Sequence, residues 1–198
     1  MIWFITAALG GYLLGSIPFG LLITQMAGLG DVRQIGSGNI GATNVLRTGR
    51  KDLALATLLL DSFKAGLAVL IFATLSGERN VGLIAGACAF LGHCYPIWLG
   101  FKGGKGVATY AGLLVFASPL ALAVGAPIWL GLFALTRVSS LAALTAAACV
   151  PIGAYLLGET RFAAFTLLAL SVLVFWTHRA NIKRLLNGTE PKFGSKAK

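Results

Sequence analysis

The residues best suited to chemistry in this sequence lie in a glycine-rich segment at 36–47, which reads GSGNIGATNVLR. Glycines at every second or third position let the backbone approach a ligand closely and point successive N–H groups at an anion. The short polar side chains add hydrogen bonds, and the final arginine offers a planar fork suited to phosphate. A plain flexible linker has little need of these side chains, so the segment predicts a phosphate-binding loop. Its candidate catalytic residues are Ser37 and Arg47, and its candidate binding residues are Gly38, Asn39, Gly41, Thr43 and Asn44.

A second such segment covers 92–109, where GHCYP is followed by FKGGKGVAT. Lysines between glycines at the start of a predicted helix combine backbone N–H groups, the helix dipole and positive charge. Lys105 is followed by Gly106, so the spacing is not that of a Walker A loop and ATP is not predicted. The alternative is a pair of lysines that snorkel to a membrane surface. The candidates here are His93, Lys102, Gly103, Gly104, Lys105 and Thr109.

The third segment, 178–190, reads HRANIKRLLNGTE. On a helix, His178, Asn181 and either Arg184 or Leu185 share one face at spacings of three and four residues. The alternative is a basic anchor that grips anionic lipid headgroups, although Asn181 and Glu190 fit an anchor poorly. The candidates are His178, Asn181, Arg184, Gly188 and Glu190.

The elements that carry these segments are predicted to be membrane helices. Of the 198 residues, 57% are hydrophobic and 11% are charged, whereas soluble domains carry about 25% charged residues. The net charge of +10 then indicates positive cytoplasmic loops rather than nucleic-acid binding. The three cysteines lie in apolar stretches without metal-ligand spacing, so we predict neither a disulfide nor a zinc site. No carboxylate cluster asks for another metal, and we predict no cofactor.

Apolar stretches at about 2–26, 53–75, 81–99, 106–118, 119–135, 138–157 and 162–177 predict an all-α protein with seven transmembrane helices. Val107 to Leu135 is predicted to form two short spans with a break at Ser118–Pro119. With two spans, most of the basic residues lie on one side of the membrane, as the positive-inside rule requires. The N-terminus is outside, the C-terminus is cytoplasmic, and residues 1–198 form one domain. Most of the basic residues then lie on the cytoplasmic side: Arg33, Arg47, Arg50, Lys51, Lys102, Lys105, Arg137, Arg179, Lys183, Arg184, Lys192, Lys196 and Lys198.

One pair of ionisable residues falls within a predicted span. Asp61 and Lys64 are three residues apart on the second helix, and such groups at membrane depth usually pair or face a polar cavity. An internal ion pair is favoured slightly over a direct place in the site.

The three segments, in this order and on seven spans, resemble the bacterial acyl-phosphate:glycerol-3-phosphate acyltransferase family (PlsY). Segments 36–47, 92–109 and 178–190 carry the resemblance, which extends over nearly the whole chain. It implies a multi-pass enzyme of the bacterial cytoplasmic (inner) membrane, with its active site at the cytoplasmic face. The implied reaction moves a fatty acyl group from acyl phosphate to the 1-hydroxyl of sn-glycerol 3-phosphate and yields lysophosphatidic acid and inorganic phosphate. No obligate protein partner is implied.

For this chemistry we expect direct attack by the glycerol hydroxyl, because an acyl phosphate is already activated. The donor phosphate and the developing negative charge are expected to be held by Gly103, Gly104 and Lys105, with Ser37 and Thr43. Arg47 and Asn181, with Lys102 or Arg184, are expected to hold the acceptor phosphate. The proton acceptor is left open between the donor phosphate and a histidine, His178 or His93. The competing interpretations are a transporter for a phosphorylated solute and a non-catalytic lipid-binding subunit.

Overall fold

The computed structural model describes residues 1–194, and all of the regular structure in that range is helical. Lys196 and Lys198, which were counted among the cytoplasmic charges, lie outside the described residues. Short 3-10 turns connect some of the α-helices. The helices are α1 (Ile2–Gly15), α2 (Phe19–Met26), α3 (Ala42–Val45), α4 (Lys51–Ser76), α5 (Arg79–Cys94), α6 (Val107–Ala117), α7 (Pro119–Thr136), α8 (Ser139–Leu156), α9 (Arg161–Thr177) and α10 (Arg179–Leu186).

The apolar segments fall where the hydropathy pattern predicts them. Within residues 1–194, five are long enough to cross a membrane, and a sixth results when α9 and α10, bent by 62°, are taken together. At the predicted fourth span, α6 has 11 residues, which is about 17 Å of helix against a hydrocarbon core of about 30 Å. The predicted break is confirmed, because α6 ends at Ala117 and Pro119 begins α7.

The large apolar side chains that point away from the protein match the surface of a membrane protein. Phe63 and Phe165 are 56% and 68% exposed, and many other Leu, Ile and Phe side chains are similarly open. Helices that are apolar on every side need an apolar environment around them. The structure is therefore that of an all-helical integral membrane protein.

The chain divides into two compact units, residues 1–117 and 118–198. In the first unit, small residues let helices pack backbone to backbone. A Cβ at Gly11 or Gly15 of α1 would collide with the Ala85 or Ala89 carbonyl of α5. Because both positions advance in the same direction, α1 and α5 run parallel. A Cβ at Gly112 of α6 would likewise meet the backbone of Ser62 on α4.

The helix directions in the first unit bring its two glycine-rich segments to one end. A Cβ at Gly82 or Gly86 of α5 would meet Ala73 or Val69 of α4, so α4 and α5 are antiparallel. The start of α4 therefore lies beside the end of α5. Segment 36–47 precedes α4 and segment 92–109 follows α5, so both lie at this end.

In the second unit, α7 and α8 form an antiparallel pair. A Cβ at Gly125 would contact Val150, and a Cβ at Gly153 would contact Val124. Thr160 caps the next helix, because its hydroxyl accepts a hydrogen bond from the Ala163 N–H. The chain after α10 returns to the end of α7.

Candidate active site

The first glycine-rich segment is held in shape by the side chain of Asn44, which is buried. Its Nδ2 donates to the carbonyls of Val32 and Ile35, at 2.8 and 2.9 Å. Its Oδ1 accepts from the backbone N–H of Ser37 at 3.0 Å and from the Ser37 hydroxyl at 3.2 Å. The amide of this predicted ligand-binding residue is thus used within the segment, and it fixes the position of Ser37.

The polar groups that face outward from this segment are those of Ser37, Thr43 and Arg47, which are all exposed. Gly36 has a φ of +55°, and a Cβ there would meet Arg47 Cδ at 2.6 Å. Only glycine lets the arginine side chain lie across the backbone next to Ser37. Among the described residues, the Arg47 guanidinium has no hydrogen-bond or ion-pair partner. An exposed hydroxyl beside an unpaired guanidinium is suited to an anionic ligand.

The remaining predicted residues of this segment are two glycines and one partly buried asparagine. Gly38 is exposed with a φ of +70°, while Gly41 and Asn39 are half-buried. The carbonyl of Ile40, between them, packs where a Cβ at Gly20 would be, next to Thr57 of α4. The segment is therefore seated directly on α2 and α4.

The second glycine-rich segment lies back on the end of α5. The N–H groups of Gly103 and Gly104 donate to the carbonyls of Cys94 and His93, at 3.0 and 2.9 Å. They satisfy carbonyls that the helix end would otherwise leave without partners. These two N–H groups, which the sequence analysis assigned to phosphate, are used within the protein in this structure.

The glycines of the second segment are required mainly by close packing. A Cβ at Gly104 would overlap the His93 ring, and a Cβ at Gly106, where φ is +83°, would overlap the Phe90 ring. Lys102 is exposed and Lys105 is half-buried. Together with the first turn of α6, which follows directly, they give this end of the unit its positive character.

Thr109 lies in the first turn of α6 and is fully buried. Its hydroxyl has no hydrogen-bond partner among residues 1–194. Buried hydroxyls are rarely left without a partner in folded proteins. Thr109 is one of the predicted phosphate-binding residues, and its side chain is covered by protein in this structure.

Beneath the two segments lies a buried polar cluster formed by Asp61, Lys64 and His93. The Lys64 Nζ is 2.8 Å from Asp61 Oδ1 and 3.0 Å from His93 Nδ1. It also donates to the carbonyl of Ile17 at 2.8 Å, in the break between α1 and α2. The predicted ion pair is therefore present. Sequence reasoning gave no signal for His93 or the Ile17 carbonyl as its partners, since both are distant along the chain.

The third segment belongs to the second unit. His178 is buried at the junction of α9 and α10, with its Nδ1 2.8 Å from the Val174 carbonyl. Because a carbonyl only accepts, Nδ1 carries the proton in the neutral ring and Nε2 carries the lone pair.

Glu190 is the centre of a hydrogen-bonded network in this segment. Its Oε1 accepts from the Ser140 hydroxyl and from Asn181 Nδ2, both at 2.6 Å, and its Oε2 accepts from Arg184 Nε at 2.6 Å. Burial alone raises the pKa of Glu190, but these hydrogen bonds outweigh it and hold the pKa below its ordinary value. Gly188, with a φ of +67°, lets the chain turn back toward α10. Nothing in the sequence pointed to Ser140 as a partner.

Within the described chain, no group of three or more His, Cys, Asp or Glu side chains is arranged to hold a metal ion. The functional groups of the three polar segments and the buried cluster are instead hydroxyls, guanidinium and ammonium groups, and two imidazoles.

Comparison with known proteins finds a family and relatives that match nearly the whole chain. Residues 5–188 match the family model described as glycerol-3-phosphate acyltransferase. The chain is 71% identical over 194 residues to the glycerol-3-phosphate acyltransferase of Hyphomonas neptunium, which covers 97% of this chain and 93% of the relative. It is 58% identical over 190 residues to that of Agrobacterium fabrum, covering 96% and 92%.

Two solved structures share the fold. One is PlsY (YgiH), an integral membrane glycerol 3-phosphate acyltransferase, in its glycerol 3-phosphate form, with a TM-score of 0.90, 38% identity and 96% of both chains covered. The other is its lysophosphatidic acid form, with a TM-score of 0.88, 37% identity, and 96% of this chain and 95% of that one covered.

The fold and these similarities define an integral membrane enzyme of the acyltransferase class. Within that class, the chain belongs to the glycerol-3-phosphate acyltransferase family.

Proposed function

We propose that this enzyme transfers a fatty acyl group from acyl phosphate to the 1-hydroxyl of sn-glycerol 3-phosphate, and releases lysophosphatidic acid and inorganic phosphate. The observation that carries the proposal is the exposed pair Ser37 and Arg47 at the same end of the first unit as the lysines of the second segment. Such an arrangement suits a phosphate-bearing substrate. The solved relatives in glycerol 3-phosphate and lysophosphatidic acid forms support the acceptor and the product. The assignment of acyl phosphate as the donor rests on the likeness of the three segments to those of the family.

The proposed reaction is a direct substitution at the acyl carbon. The glycerol oxygen bonds to the carbonyl carbon, the bond from that carbon to the phosphate oxygen breaks, and phosphate leaves. The hydroxyl proton passes to an oxygen of the departing phosphate, so no protein base is required. His178 is the rival proton acceptor because its Nε2 carries the lone pair.

The residue roles are proposed as follows. The donor phosphate and the charge that develops on the carbonyl oxygen are held by Lys105, Ser37 and Thr43. The backbone of Gly103 and Gly104 forms the adjacent wall of this binding site. Arg47 holds the acceptor phosphate, with Lys102. The corresponding roles of Asn181 and Arg184 rest on the motif of the third segment.

The proposed setting is the bacterial inner membrane, with seven crossings by a single domain, the N-terminus outside, and the active site on the cytoplasmic face. The substrates are the only partners proposed beyond the bilayer, and no cofactor or nucleic acid takes part. The short α6 counts as the fourth crossing and requires a local adjustment of the bilayer or cover from protein.

The proposal is tested with purified enzyme in lipid vesicles, supplied with acyl phosphate and glycerol 3-phosphate. Formation of lysophosphatidic acid and phosphate in equal amounts supports it, whereas uptake of glycerol 3-phosphate without product would indicate a transporter. Arg47→Ala and Lys105→Ala should each lower kcat/KM by about 100-fold or more, since each removes a charge-assisted contact in the transition state. Arg50→Ala is the control, because Arg50 is exposed and paired with Asp52. Wild-type activity in both test variants would refute the site assignment.

A further inference from the structure

The Lys64 ammonium has three polar neighbours inside the protein. It donates to the Ile17 carbonyl at 2.8 Å, lies 3.0 Å from His93 Nδ1, and forms an ion pair with Asp61 Oδ1 at 2.8 Å. A lysine ammonium donates three hydrogen bonds and accepts none. His93 Nδ1 also lies 3.5 Å from Asp61 Oδ1, but it is nearer to the ammonium, at 3.0 Å. Because the ammonium can only donate, we take Nδ1 as the acceptor, which places the proton of the neutral ring on Nε2. Asp61 supplies the negative charge opposite the ammonium.

The protonated nitrogen faces the second glycine-rich segment. Of the His93 ring atoms, Nε2 is the nearest to the position that a Cβ would take at Gly104. Among the described residues, Nε2 has no hydrogen-bond partner. His93 is 4% exposed and Gly104 is buried. The residues that precede Gly104 are more open, since Gly103 is half-buried and Lys102 is exposed.

The two histidines of the chain are thus held in opposite tautomers. His178 donates from Nδ1 to a carbonyl, while His93 accepts at Nδ1 from an ammonium. A ring with its proton on Nε2 is a hydrogen-bond donor on that side and cannot take up a proton there. His93 therefore does not suit the part of general base.

We propose that His93 is an anion-binding residue, whose Nε2–H donates a hydrogen bond to an oxygen of the donor's acyl phosphate group beside Gly104. Lys64 and Asp61 are positioning residues that keep the proton on Nε2 and aim it at the segment. The proposal rests on the proposed function for the identity of the ligand. The tautomer itself follows from the geometry of the cluster.

The tautomer is measured directly by nitrogen NMR on the full-length enzyme with 15N-labelled histidine. Only two histidines are present, so a His178→Asn variant assigns the signals. We expect His93 to show a protonated Nε2 and an unprotonated Nδ1 across the pH range of activity, and the Nε2 signal to shift on addition of inorganic phosphate. An Nδ1–H tautomer, a doubly protonated ring, or an Nε2 signal unmoved by saturating phosphate would overturn the proposal.

A kinetic comparison then tests the contact. His93→Asn keeps an acceptor for Lys64 near the place of Nδ1 but removes the Nε2–H, and His93→Gln returns an amide N–H near the place of Nε2. We expect His93→Asn to lower kcat/KM for acyl phosphate by roughly 10- to 100-fold, with the pH profile unchanged in shape, and His93→Gln to recover part of the loss. Cys88→Ala, on the same helix, is the control for disturbance of α5.

The outcomes separate this proposal from the proposed function. Unchanged kcat/KM in His93→Asn, or loss of one limb of its pH profile, overturns the donor role while acyl transfer by the wild type stands. Absence of acyl transfer in the wild type defeats the proposed function, and the phosphate response of Nε2 still decides whether His93 binds an anion. If His93→Asn fails to fold, the NMR result on the wild type decides.

Discussion

A charged side chain within a membrane helix needs a partner for every one of its donors. Lys64 meets this condition because Asp61 lies one turn earlier on α4, and because the break between α1 and α2 frees the carbonyl of Ile17. Pro18 follows that carbonyl and has no N–H of its own, so the helix is interrupted there. The kink and the lysine are therefore parts of one arrangement, which also fixes the ring of His93.

Asn44 offers the clearest prediction at the scale of a single residue. Asn44→Ala leaves the Val32 and Ile35 carbonyls and the Ser37 N–H without partners, so we expect the free energy of unfolding to fall by about 2 kcal/mol or more. Activity should fall as well, because Ser37 is no longer held. Thermal unfolding in detergent measures the first effect, with Asn39→Ala as the control of equal size change. Equal stability of the two variants would contradict the role of Asn44.

The lowered pKa of Glu190 predicts that the stability of the fold depends on pH. Its pKa is lower in the folded protein than in the unfolded chain, so its contribution is fully present above the unfolded pKa. The contribution is lost as the pH falls through the lower, folded pKa. Glu190→Gln should therefore be less stable than the wild type at pH 7, and the difference should shrink on acidification.

The measurement for Glu190 is the unfolding midpoint of both proteins between pH 7 and pH 3. Glu78→Gln serves as the control, since Glu78 is exposed and lies outside the network. A gap between wild type and Glu190→Gln that stays constant over this pH range would show that the carboxylate charge does not stabilise the fold.

At the scale of elements, the close packing of neighbouring helices depends on glycines. Gly11 and Gly15 bring α1 against α5, and Gly112 brings α6 against α4. The short α6 is secured at its end by Arg79, whose Nε and a terminal nitrogen donate to the Ala117 carbonyl at 3.1 and 2.7 Å. The glycine contacts hold together the helices that carry the two glycine-rich segments of the first unit, and the Arg79 contact closes the opposite end of α5 and α6.

We expect Gly15→Ala to destabilise the protein by about 1–3 kcal/mol, because its methyl group would collide with the backbone of Ala89 and force the helices apart. The control is Gly131→Ala in α7, where a Cβ would meet nothing within 4 Å. That variant should be as stable as the wild type or more stable, since alanine favours helix. Unfolding midpoints in the same detergent decide, and a tolerated Gly15→Ala would contradict close packing of α1 and α5.

At the scale of the whole molecule, the two compact units each present polar segments at the ends of apolar helices. The first unit carries segments 36–47 and 92–109 at a single end, and the second carries segment 178–190. The proposed orientation of the chain in the membrane assigns all three to the cytoplasmic face.

Accessibility labelling tests that orientation. In a background where Cys88, Cys94 and Cys149 are replaced by alanine, Thr43→Cys, Lys102→Cys and Lys183→Cys should react with an impermeant reagent from the cytoplasmic side only. Glu78→Cys and Gly158→Cys, in loops at the other ends of the helices, should react from the opposite side. Reaction of Lys183→Cys and Thr43→Cys from different sides would mean that α6 does not cross, and the seven-helix topology would be wrong.

The sequence alone determined the all-helical membrane class, the positions of the apolar helices, the break at Ser118–Pro119, the Asp61–Lys64 pair and the family. These features are local, since each depends on composition, on a run of about 20 apolar residues, or on residues one helical turn apart. The likeness to the family is also carried by short contiguous segments.

The tertiary structure alone decided what the polar atoms do. The Asn44 amide hydrogen-bonds to the backbone of its own segment. The Gly103 and Gly104 N–H groups donate to carbonyls at the end of α5, and the Lys64 ammonium contacts His93 and Ile17. Hydrogen bonds saturate, and the partner of a donor is fixed by distance in space between residues far apart along the chain. A list of polar residues therefore identifies the segments, and only the fold separates the groups that hold the site together from those left to face a ligand.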